Sequence, residues 1–175
     1  MSIYVVRHGQ TDWNLQKRAQ GRKDIMLNEN GIEQARNLKE SLNGIKFGKV
    51  ISSPLKRAKE TAEILAPGSV IEDNRIIERD FGEFEGLSAK EFDNDGFWSY
   101  KKNCTYKSAE NIRDVFNRVY NFLDELENEH KDEDVLVVTH GGILVVINTY
   151  FNGIPEDDDL FNVNLKNCGI NKFDF

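Results

Sequence analysis

The chain has 175 residues, of which 39% are hydrophobic and 30% are charged, and its formal net charge is −7. This length fits a single domain over residues 1–175, and no apolar stretch approaches the roughly 18 residues that span a bilayer. The acidic balance argues against a nucleic-acid-binding protein, which needs a basic face, but a local arginine cluster can still hold a small anionic substrate.

The first residues and the cysteines predict a cytoplasmic protein. The start, MSIYVVRHG, enters a strand directly, without the basic leader or cleavage site of a signal peptide. Cys104 and Cys168 match no metal-binding or redox spacing, so we expect reduced thiols.

Hydrophobic periodicity predicts alternating strands and helices in the first 71 residues. Residues 3–7 read as a buried strand, followed by a helix from Asn30 whose apolar residues recur at helical spacing until Gly44. A second strand is predicted at 49–52 and a third at 70–71. Between them Pro54 suits the first position of a helix that ends before Pro67.

Residues 79–107 have no regular period and are rich in aromatic side chains. Such a segment is a candidate lid or binding loop, with the insert itself at about residues 87–107. The alternative is an irregular cover that buries its aromatic rings on the core. The sequence leaves both interpretations open.

The second half of the chain repeats the alternation. A long amphipathic helix is predicted from Ile112 to near His130, then an apolar strand at 134–139, a helix at 141–151 and an edge strand in the tail. The expected fold class is therefore α/β. It is a three-layer sandwich with a mainly parallel central sheet and helices on both faces.

Two histidines follow predicted strands at the same relative position. His8 comes after strand 3–7 and His140 after strand 134–139, each followed by glycine. Ligands of open α/β sheets bind beyond the carboxyl ends of the strands, and helix 141–151 would point its amino end into the same crevice. This position suits an anion.

Two arginines strengthen that interpretation. Arg7 precedes His8, and Arg57 lies one turn into the helix after strand 49–52. A guanidinium group can bind phosphate with two hydrogen bonds. Taken singly, either arginine could be a surface ion-pair partner, and either histidine could be a core residue with its hydrogen bonds satisfied. The occurrence of all four at successive strand ends favours an anion site.

Other chemistries fit the pattern less well. His8, His140, Asp12 and Glu78 could in principle bind zinc, yet no close histidine pair is present and the arginines would repel a cation. A serine-type triad lacks its Gly-x-Ser-x-Gly motif.

Four segments resemble the histidine phosphatase superfamily, which includes the cofactor-dependent phosphoglycerate mutases. Residues 7–14 (RHGQTDWN) are similar to its Arg-His-Gly-x-Thr-x-x-Asn motif, and residues 52–58 (SSPLKRA) to its second block. Residues 76–86 (IIERDFGEFEG) resemble the third block and residues 139–142 (THGG) the last. The blocks occur in family order and span nearly the whole chain.

The resemblance implies a phosphoglycerate mutase-like fold and phosphoryl transfer through a phosphohistidine. His8 would be the nucleophile, with its other ring nitrogen held by a backbone carbonyl. Glu78 would protonate the leaving oxygen and then take a proton from water. Further contacts to the phosphoryl group or substrate are implied for Arg7, Arg57, His140, Asn14, Gln20, Gly21 and Gly141. No metal or organic cofactor is implied.

The insert favours a phosphatase over a mutase. Mutases of this family carry a longer, basic insert that binds the substrate carboxylate, whereas residues 87–107 are short and contain lysines but no arginine. We therefore expect a phosphatase acting on a small phosphomonoester, such as an α-ribazole phosphatase or a broad-specificity enzyme. The lid aromatics favour a partly apolar or ring-bearing leaving group.

Two alternatives remain. One is a 2,3-bisphosphoglycerate-dependent phosphoglycerate mutase. The other is a non-catalytic binding module, for which the complete set of motif residues would have no purpose. The expected partner is a small phosphorylated metabolite, with no nucleic acid and no membrane. The tail strand could also pair across a homodimer.

Overall fold

The computed structural model describes residues 1–68, 70–129 and 133–175. The strands in this part of the chain are β1 Ser2–Arg7, β2 Lys49–Ser52, β3 Val70–Glu72, β4 Val135–Thr139 and β5 Ile170–Asp174. The helices are α1 Asp12–Leu15, α2 Glu29–Ser41, α3 Lys56–Leu65, α4 Asn94–Trp98, α5 Ile112–Glu129 and α6 Gly141–Asn152. None of these helices is long and apolar enough to cross a membrane.

The strands form one sheet in the order β3-β2-β4-β1-β5. The first four are parallel, and β5 runs antiparallel to β1 as the edge strand expected in the tail. Arg7 pairs with Thr139 in the register between β1 and β4. His8 and His140 therefore follow directly at the same, carboxyl, edge of the sheet.

Helices cover both faces of the sheet because successive strand side chains point to opposite sides. On one face, Val5 and Val137 pack with the apolar stripe of α5 and with α6. On the other face, Val6 and Val138 pack with α3, and Leu38 of α2 packs against them. The predicted three-layer α/β sandwich is confirmed.

Helix boundaries differ from the sequence-based expectations in small ways. Pro54 was expected at the first helical position, but α3 begins at Lys56, because Leu55 keeps an extended backbone and is buried. α2 begins at Glu29 rather than Asn30 because the Asn28 side chain accepts the Gly31 N–H and caps the helix. α5 ends at Glu129, and His130 lies outside the described residues.

The segment at 79–107 is mostly an irregular cover with its aromatic side chains turned inward. Phe97 on α4 is fully buried, and its ring packs against those of Phe81, Phe84, Phe92, Trp98 and Tyr106. These rings belong to the larger core cluster or pack against it. Most of these rings are therefore unavailable to a ligand, and only Phe81 and Trp98 of this set also line a cavity. The case for a ring-bearing leaving group is weaker than the sequence indicates.

Candidate active site

A cavity of about 210 Å³ opens beyond the carboxyl ends of β1, β2 and β4. It is lined by all but one of the predicted site residues: Arg7, His8, Asn14, Gln20, Gly21, Arg57, Glu78 and Gly141. The exception, His140, is fully buried behind this surface, with its ring centroid 5.2 Å from that of His8. A larger depression of about 530 Å³ at the C-terminal end of α2 carries none of these residues.

His8 is held as a neutral imidazole whose lone pair lies on Nε2. Its Nδ1 lies 2.7 Å from the carbonyl oxygen of Gly9, which can only accept a hydrogen bond, so Nδ1 carries the proton. Nε2 accepts from Nε of Arg57 at 3.2 Å. Burial, and then the charges of Arg57 and Arg7, hold the pKa of His8 well below its usual 6.5. The ring therefore remains a potential nucleophile at neutral pH.

Arg57 is oriented by backbone carbonyls rather than by a carboxylate. Its Nη1 and Nη2 donate to the carbonyls of Lys23 and Gly21, both at 2.8 Å. Gly21 has φ +53°, and a Cβ there would lie 2.5 Å from Oε1 of Glu85. Only glycine lets this loop bring its carbonyl to Arg57 without strain. Burial lowers the pKa of Arg57 to about 10, so it stays positively charged at neutral pH.

Two buried side-chain nitrogens near His8 have no hydrogen-bond partner. They are Nε of Arg7, whose Nη1 donates to the carbonyl of Leu165, and Nδ1 of His140, whose Nε2 contacts the Ser53 hydroxyl. An unsatisfied buried donor costs about 1–3 kcal/mol, and native proteins leave few of them. Nε of Arg7 is always a donor, and Nδ1 of His140 is one in the tautomer that protonates it, so both nitrogens can face an oxyanion beside Arg57.

Glu78 is a buried carboxyl group at the wall of the cavity. Oε1 accepts the backbone N–H of Arg79 at 2.9 Å, and Oε2 accepts that of Gly142 at 3.2 Å. Burial raises the pKa of Glu78 above its ordinary value, although these two hydrogen bonds and Arg57 act in the opposite direction. Asp80, Glu83 and Glu85 do not line the cavity. Glu78 is therefore the carboxyl group placed to exchange a proton with a bound ligand.

Asn14 and Gln20 present amide groups to the cavity, with their oxygens already engaged. Oδ1 of Asn14 accepts from the backbone N–H of Thr11 at 3.1 Å and from Nδ2 of Asn167 at 3.2 Å. Oε1 of Gln20 accepts from the Thr11 hydroxyl at 2.9 Å. Asn14 also completes the capping box of α1, so its structural and ligand-binding uses coexist. The NH₂ group of each remains as a donor.

Several cavity residues were missed in the sequence. Arg18, Phe161 and Leu165 line the cavity, as does Trp98 from the lid. Asn167 holds the carbonyl of His8 at 2.9 Å. Residues 153–169 carry no periodicity or motif that could have identified Phe161, Leu165 or Asn167. Arg18 lies four residues after the first motif, where its charge was a usable signal.

The zinc alternative finds no support in the geometry. In the described ranges 1–68, 70–129 and 133–175, no group of three or more His, Cys, Asp or Glu side chains is arranged to hold a metal ion. The cavity is instead dominated by guanidinium, imidazole and amide donors, which select an anion.

Comparison with known proteins identifies the family. The family model described as histidine phosphatase superfamily (branch 1) matches residues 3–175. The chain is 33% identical to the uncharacterized phosphatase PhoE of Bacillus subtilis (strain 168), over 99% of this chain and 88% of that protein. It is 35% identical to phosphoglycerate mutase-like protein 4 of Arabidopsis thaliana, over 81% of this chain and 67% of that protein.

A solved structure shares the whole fold. The phosphoserine phosphatase of Entamoeba histolytica, in complex with 3-phosphoglyceric acid, superposes with a TM-score of 0.86 at 30% identity, covering 99% of this chain and 90% of that one. The paired His-Gly strand ends, the anion-binding donors and these matches lead to one assignment. The chain belongs to the histidine phosphatase superfamily.

Proposed function

We propose that the chain is a phosphatase that hydrolyses small phosphomonoesters through a phosphohistidine on His8. The observation that carries the proposal is the neutral His8 ring, with its Nε2 lone pair beside two unpaired buried donors, Nε of Arg7 and Nδ1 of His140. This pairs a nucleophile with an oxyanion site. The family and its phosphatase members support the same conclusion.

The first step transfers the phosphoryl group from substrate to protein. Nε2 of His8 attacks phosphorus while the bond to the leaving oxygen breaks, and Glu78 gives that oxygen a proton. Arg7, Arg57 and His140 bind the phosphoryl oxygens, where charge is spread in the transition state. The Asn14 amide supplies a further donor.

The second step returns the protein to its starting state. A water molecule attacks the phosphorus on His8, and Glu78, now ionised, takes a proton from it. The bond between phosphorus and Nε2 breaks, and phosphate leaves. The raised pKa of Glu78 supports this double use, because such a carboxyl group exchanges its proton closer to neutral pH than an exposed one.

Hydrolysis is favoured over mutase activity by the placement of the lid lysines. Among the residues that the structure describes, no lysine lines the cavity. Nζ of Lys101 donates to the carbonyl of Glu156, outside the cavity. A mutase must hold the carboxylate of its intermediate while the phosphoryl group returns; residues 87–107 offer no cation for this purpose, and Arg18 is the cation beyond the phosphoryl site that lines the cavity.

The substrate is proposed to be a small phosphorylated metabolite. A cavity of about 210 Å³ admits a phosphoryl group with a short leaving group. The 3-phosphoglyceric acid bound to the phosphoserine phosphatase of Entamoeba histolytica is a ligand of this size. Phe81, Trp98 and Phe161 form an apolar side of the cavity, so a leaving group with an apolar part is also accommodated.

The proposal extends to the organisation of the chain. Residues 1–175 would act as one catalytic domain, with residues 87–107 forming a roof that places Trp98 over the cavity. We also propose a cytoplasmic location, in keeping with the free thiols of Cys104 and Cys168.

The test is release of p-nitrophenolate from p-nitrophenyl phosphate in excess chelator, comparing the wild type with His8→Ala. Isomerisation of 3-phosphoglycerate, with and without 2,3-bisphosphoglycerate, is measured in parallel. We expect hydrolysis that persists in chelator, is lost in His8→Ala and is not accompanied by isomerisation. Efficient isomerisation would identify a mutase. Absence of turnover and of phosphate trapping on His8 would identify a non-catalytic module.

A further inference from the structure

Ser53 makes a buried contact that the proposed chemistry does not yet use. It follows β2 directly, is fully buried, and is held by a backbone hydrogen bond from its N–H to the carbonyl of Val138 at 3.0 Å. Its Oγ lies 2.6 Å from Nε2 of His140. Ser53 does not line the cavity, and its side-chain contact toward the site is with His140.

The direction of this hydrogen bond follows from the groups around the hydroxyl. Oγ of Ser53 already accepts the backbone N–H of Leu55, at 3.4 Å. Among the described residues, Nε2 of His140 is the atom within hydrogen-bond distance that can accept the hydroxyl proton. If Nε2 carried a proton instead, the Ser53 O–H would be buried without an acceptor. The arrangement that satisfies both groups has Ser53 donating to Nε2.

This direction decides which nitrogen of His140 carries a proton. Burial, and then the charges of Arg57, His8 and Arg7, hold the pKa of His140 well below its usual value, so the ring is neutral near pH 7. A neutral imidazole has a single N–H. With Nε2 accepting from Ser53, the proton lies on Nδ1, which is the buried atom without a partner.

We propose that Ser53 is a positioning residue that holds His140 as the Nδ1–H tautomer, so that this ring donates to a phosphoryl oxygen bound at His8. The proposal rests on the phosphatase function proposed above. In the other tautomer, Nδ1 would present a lone pair to a negatively charged oxygen. A donor would then become a repulsive neighbour at the site where charge develops in the transition state.

The chain offers a matched control. Ser52 and Ser53 are adjacent and fully buried, but the Ser52 hydroxyl donates to the backbone carbonyl of Ser53 and does not contact His140. Ser53→Ala and Ser52→Ala each remove one buried hydroxyl from the same turn. Ser53→Thr keeps the hydroxyl at the contact with His140.

The deciding measurement is the ¹⁵N NMR spectrum of the histidine side chains in the free protein. With three histidines in the chain, the signals of His140 are identified from the spectrum of His140→Asn. We expect Nδ1 of His140 to be protonated and Nε2 to be unprotonated in the wild type and in Ser52→Ala. In Ser53→Ala, the proton should redistribute toward Nε2.

Activity is then measured on the same variants. Loss of one oxyanion donor lowers kcat by about 10²–10³-fold, and a partial shift of tautomer should cost about 10–100-fold in kcat of Ser53→Ala. Ser52→Ala should stay within about twofold of the wild type, and Ser53→Thr should recover most of the loss. A purely structural role would not move the tautomer.

Two results would overturn the proposal: protonation of Nε2 in wild-type His140, or an unchanged tautomer in Ser53→Ala, whatever its kcat. Because the spectrum is recorded without substrate, it stands apart from the proposed function. A protein that shows the Nδ1–H tautomer and its loss in Ser53→Ala, yet hydrolyses no phosphate ester, would contradict the phosphatase function and not the hydrogen bond.

Discussion

Replacing Glu78 by glutamine removes the carboxyl group of the cavity while keeping its shape. Each carboxylate oxygen accepts one backbone N–H, from Arg79 and from Gly142. Glutamine has a single oxygen, so one of these buried N–H groups would face an NH₂ group. We expect the free energy of unfolding to fall by about 1–3 kcal/mol. For a chain of this length that lowers Tm by about 2–4 °C per kcal/mol, so the variant should fold.

The kinetic effect should depend on the leaving group. An alkyl phosphate needs a proton on its leaving oxygen, so phosphorylation of His8 by such a substrate should slow by about 10²–10⁴-fold in Glu78→Gln. p-Nitrophenolate leaves without a proton, so phosphorylation by p-nitrophenyl phosphate should stay fast. Attack by water still lacks its base. Rapid mixing should therefore show a burst of about one equivalent of p-nitrophenolate, with phosphate retained on His8.

Glu83→Gln is the matched control, because it changes a carboxylate of the same acidic segment outside the cavity. Glu83 is exposed and accepts hydrogen bonds from the Ser108 hydroxyl and from the backbone N–H groups of Ser108 and Lys107, which hold its pKa at about 2. Its variant should keep wild-type kinetics with both substrates. Equal losses with alkyl and aryl substrates in Glu78→Gln, without a burst, would refute the acid–base role of Glu78.

Further predictions concern stability, pH and substrate choice. Phe97→Ala removes a fully buried ring and should lower the free energy of unfolding, measured by urea titration, by about 3–5 kcal/mol. A loss below about 1 kcal/mol would mean that the roof formed by residues 87–107 does not contribute to the core. Because the pKa values of His8 and His140 are lowered in the native state, the unfolded chain binds more protons than the native protein as the pH falls. The free energy of unfolding should then fall as pH drops below about 6.5, by up to about 1.4 kcal/mol per pH unit for each ring. The raised pKa of Glu78 has the opposite effect, lowering the free energy of unfolding as pH rises above 4.5. In His140→Asn, the free energy of unfolding should fall less steeply with decreasing pH than in the wild type. An equal slope in that variant would contradict the lowered pKa of His140. Arg18 lines the cavity, and among the described residues no carboxylate lies within 4.0 Å of it. Arg18→Met should therefore lower kcat/KM about tenfold for substrates with a carboxylate on the leaving group. The kcat/KM for p-nitrophenyl phosphate should stay nearly unchanged. Equal losses for both substrate types would indicate a structural effect.

Much of the fold could be predicted from the sequence because its signals are local. The apolar runs of β1 and β4 and the stripe of α5 depend only on which side chains must be buried in a regular element. Parallel strands end at the same edge of the sheet, so the fold class places His8 and His140 together at that edge. The motif resemblance indicates the family from the sequence alone, and the family match confirms it.

The details that control the chemistry could not be predicted in this way. The tautomer of His140 depends on Ser53, 87 positions away in the chain, and Arg7 is held by the carbonyl of Leu165 from a segment without any motif. The lid aromatics looked equally suited to a ligand or to the core, and only their packing around Phe97 decided for the core. Sequence alone predicted which residues meet and at which edge of the sheet. The tertiary structure decided which atoms are buried and which remain unpaired, because hydrogen bonds between distant segments depend on how those segments pack together.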